Sequence, residues 1–315
     1  MPEKTHYERI VGGTQEEKEV AFKMLQDIFE MRSEKMTQYE MKKSPEDLAI
    51  LQKTESMVNE FVLRYGGEPK MLPLDHIYVL KPGSVFAMTE GRLAGGIHQP
   101  LGLNIGIEKG TSKLLFASTV AHELFHLKSY KSARVGKSGE DVHLYRSGLS
   151  MMDKKNPDEK TGEEKEYFAM LEEAIVVECT KKLLDEIGKD SLFSEEAEAV
   201  KKIRDWVVAC QRRYGIHEEA NGLEKELKYI SEPQDKVEQV LAFSDDEELR
   251  QVYAAGMFDA LSEDGKVEMM ERYRERKKLY ELLDLLVVNS KGKFKNQDEV
   301  FDEFARANFS GNYFE

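Results

Sequence analysis

Apolar residues recur at helical spacing through residues 14 to 34, where Phe22, Leu25, Ile28 and Phe29 stand among Glu and Lys. That period predicts an amphipathic helix. A second helix is marked at its start as well as along its face. Ser44 can cap it, Pro45 suits its first turn, and Glu46 and Asp47 complement its dipole. Its apolar stripe, Leu51, Val58, Phe61, Val62 and Tyr65, runs up to a Gly66-Gly67 stop.

The period changes after Pro73. His76 to Leu80 is a short β-like run, and a Gly-rich stretch follows from Pro82 to Gly96. Leu101, Leu103, Ile105 and Ile107 then alternate with Gly102, Asn104, Gly106 and Glu108, the period of two that marks a strand. From Ser112 to about Tyr130 the spacing is helical again. Val142 to Arg146 and Leu149 to Met152 flank a Ser147-Gly148 turn and predict a hairpin. A polar loop with an Asn156-Pro157 turn leads to a second strong helix, from Glu166 to about Ile187, apolar in its middle. Beyond Ser191 the pattern is helix after helix, up to a long candidate from Lys266 to Val288. The expected fold class is α+β, predominantly helical, with a small mixed sheet. Three stretches follow from this reading: a helical N-terminal extension (1–72), a mixed α/β unit (73–190) and a helical C-terminal domain (191–315).

Composition narrows the partners more than the fold. In a chain of 315 residues, 34% are charged and 40% hydrophobic, with a formal net charge of −14. An acidic chain is a poor match for nucleic acid, whose phosphates call for a basic surface. No window reaches the ~18 uninterrupted apolar residues of a membrane helix, so no membrane partner is expected. No apolar run follows a basic start at the N-terminus, so no signal peptide is expected either. The cysteines, Cys179 and Cys210, both fall in helical segments, which fits two thiols in a reducing compartment. Cytoplasm is the expected location.

The chemistry concentrates in His122-Glu123-Leu124-Phe125-His126. Positions four apart share a helix face, so both imidazoles can aim at one metal ion. Zinc takes neutral imidazole at about 2.0–2.1 Å, and two such ligands plus a carboxylate leave a position for water. Glu123 is rotated by roughly 100° from His122, which puts it beside the metal as a base for that water. The motif arises by chance in roughly one chain in fifty, so its context counts. Here Val120, Ala121, Leu124 and Phe125 surround it, and half-buried polar groups in such a setting are costly without a partner.

A third ligand has to come from elsewhere. Ser129 and Ser132 stand where a Gly and a third His would extend the motif, which removes the metzincin pattern. The segment Leu171 to Glu178 embeds Glu172, Glu173 and Glu178 in a helix that otherwise calls for burial, and buried carboxylates need a cation, a metal or hydrogen bonds.

These two helices together resemble the gluzincin peptidases, including the thermolysin-like and aminopeptidase groups. The resemblance covers residues 76 to 187. It implies a zincin-like unit with one zinc ion per chain, held by His122, His126 and Glu173, with Ala174 as the small residue after the ligand. Glu172 stands where those families carry Asn, which leaves it as the alternative ligand. Val177 stands where the thermolysin-like group carries an acid that orients the first histidine, and Glu178 is the nearest substitute for that duty. The resemblance also implies a Tyr or His that stabilises the oxyanion. His143 and Tyr145, which alternate with Val142 and Leu144 and so are expected on one strand face, and Tyr167 are the candidates. In zincins the strand before the active helix pairs with substrate by β-addition, and Leu101 to Ile107 is the expected strand.

The implied reaction is peptide-bond hydrolysis, on a peptide or protein substrate, with Glu123 taking the proton from the attacking water. A non-peptide amide would be served by the same groups. The competing class is a zinc-binding scaffold with a retired site that holds a protein partner through the C-terminal helices. A base at Glu123 would be idle in such a site, which normally closes with four protein ligands. His6, His76, His98 and His217 have no partner at metal spacing and are expected to be structural or solvent-exposed. Cys179 is expected to be a buried small hydrophobe.

Overall fold

The computed structural model describes residues 7–69, 71–89, 95–109, 113–136, 142–153, 165–194, 197 and 278–311. Expectations for His6, the Asn156-Pro157 turn, Cys210, His217 and the helices between 198 and 277 fall outside the described residues. The architecture is mixed α and β, with two small mixed sheets.

Both N-terminal helices are capped, and the second begins where its cap predicts. In α1 (Gln15–Glu30) Thr14 and Glu17 form a reciprocal capping box, and in α3 (Pro45–Arg64) Ser44 and Asp47 form another, with Pro45 in the first turn. Between them lies a single turn, α2 (Glu34–Thr37), capped by Ser33. Gly66 takes φ +78, the left-handed conformation that ends α3.

The smaller sheet is ordered β2 (Ile77–Leu80), β4 (Asn104–Glu108), β3 (Gly96–Gln99), with the short α4 (Ser84–Met88) between β2 and β3 in sequence. β4 runs parallel to β2 and antiparallel to β3. This corrects the expectation for Leu101 to Ile107. Both edges of β4 are paired, so it has no backbone groups to offer a substrate. Asn104 and Gly106 are buried as well as Ile105 and Ile107, so the period of two reflected a Gly/Asn alternation inside a central strand. The edge strands are β2 and β3.

The larger sheet is ordered β1 (Arg9–Val11), β5 (Lys131–Val135), β6 (Val142–Ser147), β7 (Ser150–Asp153), β8 (Lys165–Tyr167). β1 and β5 are parallel and the remaining pairs antiparallel. The hairpin β6–β7 turns through Gly148 at φ +56. Tyr167 does not open the second metal helix; it belongs to β8. The helix α6 (Ala169–Ile187) starts after Phe168, itself left-handed at φ 64.

At the centre is α5 (Lys113–Lys128), buried nearly all round: Leu114, Phe116, Ala117, Val120, Ala121, Leu124, Phe125 and Leu127 are all inaccessible. One apolar cluster encloses it, drawing on α3, β2, β4 and α6. The same cluster takes in Leu279 and Leu283 of α7 (residues 278–289) and Val300, Phe301, Ala305 and Phe309 of α8 (Gln297–Phe309). Phe61 of α3, Phe125 of α5 and Phe309 of α8 meet as rings, with centroids 5.0 Å, 5.7 Å and 6.5 Å apart. Residues from all three stretches of the chain thus share one core. Among the described residues no helix is long and apolar enough to cross a membrane.

A buried polar pair ties α3 to α5. Lys128 Nζ lies 2.8 Å from Glu55 Oε1, and the two side chains are 3% and 1% exposed. Glu55 also accepts from the Leu72 backbone N–H at 2.7 Å. Replacing Lys128 by Met leaves the carboxylate buried without its cation. Loss of one partner of such a pair typically costs about 3–5 kcal/mol. Urea unfolding should therefore show a markedly lower midpoint for Lys128→Met, and an unchanged midpoint would mean that Glu55 is rehydrated or protonated at little cost.

Candidate metal centre

α5 and α6 pack side by side, and their facing residues form the site. His122 and His126, one turn apart, bring their Nε2 atoms to 3.2 Å. Glu173 reaches across from α6, its Oε2 3.0 Å from His126 Nε2 and its Oε1 3.5 Å from His122 Nε2. All three ligand atoms lie within 4.8 Å of one another, a group able to hold a metal ion. Ligands at about 2.0–2.1 Å from a tetrahedral centre are ~3.3 Å apart, so the observed spacings fit an ion of that coordination. Ala174 next to the ligand is buried, and its small side chain permits the close approach of the two helices.

Glu172 takes the other side of the same ring. Its Oε2 lies 3.0 Å from His126 Nδ1. Adjacent carboxylates on α6 thus bracket one imidazole. A carboxylate can only accept, so with a metal ion at Nε2 the ring hydrogen would sit on Nδ1, facing Glu172, and Nε2 would keep its lone pair for the ion. Glu172 thus orients the second histidine, while Glu178, expected beside the first, forms an ion pair with Lys181 Nζ at 2.9 Å.

Glu172 is itself supported from the far end of the chain. Ser129 Oγ lies 3.3 Å from Glu172 Oε1 and 2.8 Å from the Phe125 carbonyl. Asn308 of α8, fully buried, donates to Ser129 Oγ at 2.9 Å and accepts from the Leu149 N–H at 3.2 Å. Gly148 makes room for this, since a Cβ there would overlap Asn308 Oδ1. A helix beginning more than a hundred residues after the motif thereby steadies a carboxylate that holds a metal-facing ring.

Lys131, fully buried at the start of β5, donates to the His126 carbonyl and to Ser147 Oγ, both at 2.7 Å. Burial pushes its pKa down to about 8 against the opposing pull of Glu172 and Glu8. Glu123, Glu172 and Glu173 would bring three negative charges against this one positive charge. A divalent cation makes up that difference while leaving both imidazoles neutral, as metal ligation requires. Burial also works against an imidazolium at His126, but Glu172 and then Glu173 overcome it and hold the pKa well above its usual value.

Glu123 is buried beside the ligands. Burial works against its charge, yet a bond from His98 and the nearby imidazoles hold its carboxyl below the usual range. His98 belongs to β3. Its Nδ1 lies 3.0 Å from Glu123 Oε2, and its ring stacks on that of His126 with centroids 4.6 Å apart and planes 17° apart. The sequence pattern missed this residue because it sits on another element. A histidine two residues from Gly96, on a strand next to the motif, was the available signal.

A groove of about 550 Å³ opens beside His98, lined among others by Ile28, Met31, Leu101, His143, Leu144 and Met152. His143 is thus brought to the groove. Tyr145 is stacked under the Arg134 guanidinium, 3.9 Å from the ring centre. The two were expected on one strand face, but β6 carries a bulge. Arg146 pairs with Ser132 and Leu144 with Ala133, so Tyr145 is the extra residue that breaks the alternation. Tyr167 is 43% exposed on β8.

The chain matches no family model, no curated protein and no solved structure. The gluzincin resemblance rests on the two sequence motifs alone.

Proposed function

We propose that the chain is a zinc-dependent metallopeptidase with a zincin-like catalytic unit, hydrolysing peptide bonds with Glu123 as general base. The observation that carries this reading is the two-sided hold on His126. Glu172 at Nδ1 and Glu173 at Nε2 leave the ring able to act as a ligand toward the point where His122 also aims. Bound zinc supplies Lewis acidity for the scissile carbonyl and acidifies water toward a pKa of ~7. His122, His126 and Glu173 hold the ion, and Glu172 fixes the His126 tautomer. Glu123 accepts the proton from the attacking water and returns it to the leaving amine. The edge of β3 that no described strand pairs, with His98 on that strand, would let an extended peptide add as a further strand. The β6 face that contributes His143 to the groove supports that residue over Tyr145 as the oxyanion partner.

The alternative, a retired site in a partner-binding scaffold, draws less support. Among the described C-terminal residues, α7 and α8 each pack one face on the common core, and Asn308 braces Ser129 beside Glu172. The test is a mixed peptide library incubated with the zinc-loaded full-length chain at near-neutral pH and read by mass spectrometry. Defined cleavages that vanish with a chelator and return with zinc are expected. A zinc-loaded chain that cuts nothing across a broad library counts for the scaffold.

A further inference from the structure

Side chains alternate along a strand, so residues 96 and 98 of β3 face the same way, and that way is α5. At position 96 there is no side chain. A Cβ there would lie 2.8 Å from both Cγ and Oε1 of Glu123 and 3.0 Å from Thr119 Cγ2. The Glu123 side chain is therefore laid directly against the β3 backbone. At position 98 the imidazole takes the other carboxylate oxygen at 3.0 Å. The ring is held in plane by its stack on His126, and its side chain is 27% exposed. One strand thus touches both ends of the Glu123 carboxylate.

We propose that His98 is a positioning residue for the reaction: its Nδ1–H holds the Glu123 carboxylate against β3, with Gly96 supplying the space. The proposal rests on the peptidase reading, in which Glu123 is the base. Glutamate has three rotatable side-chain bonds, and a base that wanders by about 1 Å can lose up to 10²-fold in rate. A carboxylate accepts only, so the contact requires hydrogen on Nδ1. The strand that offers its outer edge to substrate also sets the base, which ties substrate docking to the geometry of proton transfer.

Two variants separate the hydrogen bond from the bulk of the ring. His98→Phe keeps a ring to stack on His126 but has no donor. His98→Asn places an amide N–H near the position of Nδ1. In the zinc-loaded full-length protein His98→Phe should lower kcat by about 10–100-fold, the usual scale for supporting partners in metal sites. KM and zinc content should stay within about twofold, and His98→Asn should recover most of the rate. Gly96→Ala, which pushes Glu123 from the other side, should lower kcat with zinc retained. A readout free of activity comes from ¹⁵N-histidine spectra of the zinc-loaded chain. The signal lost in His98→Asn should show the Nδ1–H tautomer and shift in Glu123→Ala. An Nε2–H tautomer for His98 overturns the proposal, as does a His98→Phe variant that cleaves as fast as the wild type. A wild type that cuts nothing while His98 shows the Nδ1–H signature and responds to Glu123→Ala counts against the peptidase reading, and supports the bond.

Discussion

Glu123→Gln is expected to lower hydrolysis by about 10²–10⁴-fold while zinc stays bound, because an amide cannot take the proton of the attacking water. The substitution is nearly isosteric and keeps an acceptor oxygen for His98 Nδ1 at the 3.0 Å contact. Glu123 is outside the ligand set of His122, His126 and Glu173, so metal content and thermal stability should change little. The loss belongs in kcat, since the group acts on a proton in flight and not on the bound substrate. Equal cleavage by the variant would remove Glu123 from the mechanism and direct attention to a contaminating protease. Loss of both zinc and activity would show instead that the carboxylate helps to build the site.

Glu173→Gln is expected to weaken zinc binding far more than Glu172→Gln. Glu173 offers both oxygens to the point between the two Nε2 atoms, at 3.0 and 3.5 Å from them, whereas Glu172 reaches only the opposite nitrogen of His126. The first variant loses a charged ligand. The second keeps an oxygen that can accept from Nδ1–H, and its cost should fall in the 10–100-fold range of an outer partner. Competition with a chromophoric chelator measures both. A larger loss at Glu172 would move the ligand by one position on α6 and overturn the arrangement.

The elements with local signals were legible in the sequence. Ser44, Pro45 and Asp47 announced the start of α3, and the His122–His126 spacing placed two rings on one face of α5. The choice between Glu172 and Glu173 was not local. Both are acids in the same turn, and only the position of α5 against α6 shows that each takes a different nitrogen of one ring. His98 and Lys131 were hidden for the same reason, since a lone polar residue on a strand gives no sign of what packs against it. The alternation from Leu101 to Ile107 did contain a strand. It misled about position in the sheet, because Gly and Asn alternating with Leu and Ile look like a solvated face and are here simply small enough to be buried. The bulge at Tyr145 is likewise a property of the pairing between β5 and β6, and it undid a face assignment drawn from strict alternation. α8 shows an ordinary amphipathic pattern, and nothing in it marks Asn308 as the residue that would brace Ser129 and, through it, Glu172.

The most direct test of a metal centre at His122, His126 and Glu173 is elemental analysis of full-length protein purified without chelators. About one zinc per chain is expected in the wild type, because three converging ligands and an excess of buried carboxylate favour a divalent ion. His126→Ala should carry almost none. Wild-type protein that holds no metal and takes up no added zinc would contradict the account, as would a His126→Ala variant that binds zinc as fully as the wild type.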